Sequence, residues 1–157
     1  MLQKLLITQN EYSLALARIV LGIVFLAHGS QKMFGWFGGP GFNATLSDFT
    51  THMGIPQFFA VLAILAEFLG GIGLIIGLLT RVAAFGIAVN MCVAIALVHG
   101  SNGLFMNWQG TQRGEGFEYH VLVLAIAIEL MVRGAGAWSI DHAIDASRPY
   151  HARMQPA

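Results

Sequence analysis

Charge is scarce in this 157-residue sequence: eight Lys and Arg face eight Asp and Glu, 10% of the chain, with a net charge of zero. A soluble domain carries about a quarter charged residues. The balance also removes any electrostatic basis for binding nucleic acid. Cysteine is nearly absent. Cys92 stands alone in the apolar run AVNMCVAIA, which excludes a disulfide framework, a CxxC pair and a thiolate metal site. It reads as a small packing residue, and no metal site is expected. Charge is replaced by an apolar fraction of 56%, a mean hydropathy of +0.68 and 19 glycines, many inside apolar runs. Those are the marks of an all-α integral membrane protein.

Four stretches approach the roughly 20 residues needed to cross a bilayer. They are 13–34, 55–79, 81–98 and 117–138, followed by a tail over 139–157. The expected architecture is a four-transmembrane-helix bundle formed by a single domain, 1–157. The first stretch follows Lys4, yet Arg18 interrupts it and LAHGS is a poor cleavage site, so it reads as a retained span. Basic residues set the orientation. Lys4, Arg81, Arg133, Arg148 and Arg153 fall on one side, while Arg113 and Lys32 fall on the other. The positive-inside rule then places both termini in the cytoplasm of a bacterial inner membrane.

The exits of the first and third stretches share a pattern, LAHGSQKMFGW and LVHGSNGLFMNW. Segments VLAILAEF and VLAIAIEL of the second and fourth share five of eight positions, including Glu67 with Glu129. This suggests two tandem helical hairpins related by a pseudo-two-fold axis.

An ionisable side chain inside a bilayer needs an internal partner or a wet cavity. Arg18, Gly22, Phe25, His28, Gly29 and Lys32 fall on one stripe of the first helix. The second carries Glu67 among small residues, and on the fourth Glu118, Glu129 and Arg133 share a face. At about 1.5 Å per residue, Arg18 lies about 8 Å deep and Glu129 about 14 Å. Arg18, Glu129 and Arg133 are therefore expected to form an intramembrane ion-pair set that fixes the bundle. His28, Lys32, His99, Glu118, Tyr119 and His120, with Glu67 deeper, are expected to line a ligand pocket under the outer loops. Trp36, Phe37, Trp108 and Tyr119 read as interfacial belt residues, with a lid over the pocket as the alternative.

Taken together, Arg18, FLAHGSQKMFG, AEFLGGIGLIIGLLTR, EYHVLVLA and GAGAWSIDHAI resemble the DoxX family of small four-helix membrane proteins, over about residues 18–145. Ala135 stands where that family often has proline. The resemblance implies a membrane subunit of a redox or thiol-homeostasis complex, with a redox protein as partner. No flavin, iron–sulfur or CxxC motif is visible, so the chain is not expected to be an enzyme alone. The cofactor to expect is a bound quinone, with His28 and Lys32 donating to its carbonyls and Glu118 or Glu67 relaying protons. The alternatives are a non-redox small-solute or ion pathway, or an assembly scaffold. Haem held by His28 with His99 or His120 is disfavoured by the phase of His99. The sequence leaves a homo-oligomer open.

Overall fold

The computed structural model describes Leu6, Thr8 and residues 10–147. Lys4, Arg148 and Arg153, which enter the charge count, lie outside the described residues. The described chain is helical, with no strand. Helix α1 spans Tyr12–Phe34, α2 Phe42–Ser47, α3 Gln57–Ile76, α4 Thr80–Ala94, α5 Glu118–Arg133 and α6 Ile140–Ala146. Helix α4 runs on through a π turn, Ile95–His99, and a 3-10 turn, Gly100–Asn102. Three helical segments are long and apolar enough to cross a membrane: Tyr12–Phe34, Gln57–Ile76 and Thr80–Asn102. With 16 residues, α5 is shorter than the expected 117–138 span. The chain leaves it at Gly134 (φ 94°), and Gly136 (φ 74°) and Trp138 (φ 50°) also take left-handed conformations that an α-helix cannot continue through.

The long helices pack in a ring: α1 on α3, α3 on α4, α4 on α5, and α5 back on α1 through a smaller contact. Glycine sets the tightest approach. A Cβ on Gly29 would lie 2.5 Å from the Phe68 backbone, and one on Gly71 2.5 Å from the Leu26 nitrogen. Without solvent water to drive helices together, such close backbone contact carries association in a bilayer. The small-residue face read on the second helix is buried, with Ala60, Ile64, Glu67, Gly70, Gly71 and Leu74 inward.

The end of the bundle where α3 meets α4 is a polar knot. Arg18 is fully buried and does not pair with Glu129. Its guanidinium donates to the carbonyls of Ala135 (2.7 Å), Ile75 (2.8 Å), Trp138 (3.0 Å) and Ala137 (3.2 Å), and to that of Leu74. Two of these acceptors belong to the last turn of α3, where carbonyls have no intrahelical donor. The others belong to the left-handed segment after α5. Glu129 lies on the exposed face of α5 and bonds Arg133 at 2.9 Å, and Arg133 also pairs with Glu11. The expected Glu129–Arg133 pair thus forms, but on the surface. The expected Arg18–Glu129 pair does not form, because Arg18 turns inward toward orphan carbonyls that the α5 surface does not offer.

The same knot absorbs the start of the expected tail. Asp141 is 1% exposed. It accepts from the backbone N–H of Leu79 (2.8 Å) and Thr80 (2.9 Å), capping α4 from another helix. Ser139 caps α6 by accepting from the His142 N–H. Ala135 is buried, and its carbonyl accepts from Arg18 outside any helix.

Arg18→Met should destabilise the protein by about 3 kcal/mol or more, since buried carbonyls lose charge-assisted partners that are worth about 1.5–3 kcal/mol each. Glu129→Ala should leave stability unchanged within error. Thermal unfolding of both variants in one detergent checks the contrast, and equal losses would restore the Arg18–Glu129 pairing.

Candidate functional site

Five of the seven residues expected around an outer pocket form a connected group, and a sixth, Glu118, lines a cleft beside it. Lys32, two residues before the end of α1, turns its stem back and forms an ion pair with Glu67 of α3. The Glu67 side chain is only 8% exposed. Its carboxylate interacts electrostatically with the Tyr119 phenol on α5. The Tyr119 ring lies 5.6 Å from that of His120, edge to face, and the His120 ring lies 4.2 Å from that of His99 on the π turn. His99 Nδ1 is 2.8 Å from the Glu115 carbonyl oxygen. A carbonyl only accepts, so Nδ1 carries the hydrogen and Nε2 of the neutral ring is bare.

The π turn is what aims His99. Gly100 N–H bonds the Ile95 carbonyl five residues back, and one extra residue in a turn rotates the later part of the helix by about 100°. A Cβ at Gly100 would sit 2.7 Å from that carbonyl, so glycine is required there. Asn90, one face away, donates to the Ala63 carbonyl of α3 at 2.8 Å. The two polar residues of this helix face different neighbours, as their phase requires.

The seventh residue, His28, is exposed. At 100° per residue it lies about 80° from the centre of the Arg18–Gly22–Phe25–Gly29–Lys32 stripe. It belongs to the outer surface of α1 and does not reach the pocket.

Beside Tyr119 lies a cleft of about 520 Å³. Leu104, Met106, Val121 and Leu122 supply apolar walls, and Trp108, Glu118 and Tyr119 supply the polar rim. Glu118 Oε1 accepts from Trp108 Nε1 and from the Met106 N–H, both at 3.1 Å, and so ties the 103–117 connection to the start of α5. Trp108 is therefore part of the cleft rim as well as an exposed aromatic. The sequence signal for its partnership is absent, since nine residues of loop separate it from Glu118. Two polar atoms of the group are buried without a partner: Tyr119 Oη and His120 Nδ1. Buried orphans are few in native structures and mark places where a ligand or water belongs.

The paired motifs of the sequence do not create equivalent sites. His99 is packed on His120 while His28 is exposed, and Glu67 is buried on Lys32 while Glu129 is exposed beside Arg133. Among the described residues, no group of three or more His, Cys, Asp or Glu is arranged to hold a metal ion.

The DoxX family pattern matches residues 13–100. The inner membrane protein YqjF of Escherichia coli is 32% identical over 141 residues, covering 87% of this chain and 95% of that protein. A protein of Bacillus subtilis named as a candidate oxidoreductase, CatD, is 28% identical over 131 residues, 83% of this chain and 86% of its own. An uncharacterized membrane protein of Mycobacterium tuberculosis is 32% identical over 145 residues, 88% of this chain and 85% of its own. No solved structure matches the chain significantly. The chain belongs to the DoxX family, and its apolar helices together with the inner-membrane relative support a bacterial inner-membrane protein.

Glu67→Ala should cost about 3 kcal/mol of stability, because it strands a partly buried ammonium. Lys32→Met combined with Glu67→Ala should recover part of that loss. A double-variant cycle by thermal unfolding tests this, and strict additivity would show that the pair does not couple the two helices.

Proposed function

We propose that this chain is the membrane subunit of a redox or thiol-homeostasis complex, and that the cleft beside Tyr119 binds a quinone or a similar small ligand. The observation that carries the reading is the buried, unpartnered hydroxyl of Tyr119, a residue that lines the apolar cleft. A quinone headgroup is flat and apolar, with two carbonyl acceptors. Tyr119 Oη can donate to one of them. Leu122 and Val121, both exposed on the outer surface of α5, give an isoprenoid tail a path into lipid. The Glu67 carboxylate, held by Lys32, interacts electrostatically with the Tyr119 phenol.

The electrons come from a partner protein that oxidises a thiol or a reduced sulfur anion. The quinone takes two electrons and two protons and leaves as quinol. The name of the Bacillus subtilis relative agrees with redox work in this family. In this reading the chain crosses the membrane four times, with α5 completing its crossing through the residues that flank it. Both termini and the Arg18 end face the cytoplasm, following the basic residues. The cleft then opens toward the outer face.

Binding of a short-tailed benzoquinone analogue to the full chain in nanodiscs, read by fluorescence quenching of tryptophan, should be saturable. Tyr119→Phe keeps the ring and removes the donor, and should weaken binding about tenfold, the equivalent of one hydrogen bond of about 1.4 kcal/mol. His28→Ala should bind like the parent. Absence of saturable binding to the parent would remove the quinone reading and leave the solute-pathway or scaffold account.

Sidedness is tested separately in a Cys92→Ser background. An impermeant maleimide added to intact spheroplasts should label Asn43→Cys and Gly110→Cys and spare Ser147→Cys. The opposite pattern would invert the orientation.

A further inference from the structure

We infer that His120 and His99 form a proton route between the Tyr119 side of the cleft and the water on the side of the 103–117 connection. The route's purpose rests on the quinone reading, but its geometry does not. Both carboxylates first expected to relay protons are already engaged: Glu67 is held by the Lys32 ammonium, and Glu118 accepts from Trp108 and Met106. A proton taken up by either carboxylate would compete with those contacts. The histidines are in the opposite position. His120 is 6% exposed, with Nδ1 buried and unpartnered. His99 is half-buried, its ring 4.2 Å from that of His120, and its Nδ1 donates to the carbonyl of Glu115 on the exposed connection. That hydrogen bond leaves Nε2 of His99 bare to take a proton from water.

The transfer balances. When the bound quinone receives two electrons from the sulfur-oxidising partner, a quinone oxygen takes the Tyr119 phenol proton. His99 takes a proton from water at Nε2 and passes it to His120, and the His120 imidazolium so formed gives one to the phenolate, directly or through a water. Each passage moves one proton from the aqueous side to the quinone and leaves every side chain with the number of protons it began with. Two imidazoles this close do not hold two charges together, so a proton on one leaves the other ready to receive. The other titratable groups around the pair are Tyr119 and Glu118 on α5, Glu115 and Arg113 on the connection, and Glu67 with Lys32 beyond Tyr119.

The test needs no quinone, so its failure is separable from failure of the quinone reading. Exchange of the His120 ring proton with water is measured by 15N-edited NMR on the histidine-labelled full chain in nanodiscs. His99→Asn preserves a donor to the Glu115 carbonyl but removes the base, and should slow this exchange about tenfold or more. Imidazole added to the buffer should restore it. His28→Asn should leave it unchanged. Exchange undiminished in His99→Asn would overturn the route, and so would a loss that imidazole does not restore, since that loss is structural.

Discussion

The contact on which this structure depends is one guanidinium held among backbone carbonyls. Arg18 donates to the end of α3 and to the segment after α5, and so joins the first, third and last parts of the described chain at one buried point. A cation inside a bilayer is costly unless fully satisfied, and helix ends inside protein are costly unless their carbonyls are. Each need answers the other. Asp141 does the complementary task with opposite sign, feeding a carboxylate to the free N–H groups that open α4. With both ends of the α3–α4 turn capped from elsewhere in the chain, the turn can be as tight as Gly77, Leu78 and Leu79 make it.

That knot frees the opposite end of the bundle for chemistry. Along α1, Gly22 and Gly29 press against α3, and the stripe ends at Lys32, whose ammonium reaches Glu67. The pair fixes the inner wall of a region where Tyr119, His120 and His99 meet. There the buried polar atoms of two neighbouring residues, Tyr119 Oη and His120 Nδ1, stand without partners beside an apolar cleft. Rigidity at one end and unsatisfied polar atoms at the other is the division of labour expected of a binding subunit.

Much of this was legible in the residues, and the exceptions have physical causes. Helical phase identified the Arg18–Gly22–Phe25–Gly29–Lys32 stripe and the small-residue face around Glu67, because 3.6 residues per turn is a local property. Phase also included His28, at the stripe's edge, where about 80° decides between pocket and lipid. The pairing of Arg18 with Glu129 rested on depth and helical phase. It failed because backbone carbonyls, which carry no letter in a sequence, outcompeted a carboxylate on the far face. Asp141 and Ser139 were visible as part of GAGAWSIDHAI, but their roles depend on the chain folding back through three left-handed residues. The His99–His120 contact needed the π turn, whose local sign is only Gly100. The Trp108–Glu118 bond spans a loop with no periodicity to read.

The most direct measurement is an experimental structure of the full chain in lipid with a benzoquinone analogue bound. The account predicts the headgroup in the cleft between Leu104, Met106 and Leu122, with one carbonyl oxygen about 2.8 Å from Tyr119 Oη. An analogue ordered elsewhere on the bundle, with Tyr119 Oη bonded instead to a protein group, would contradict it.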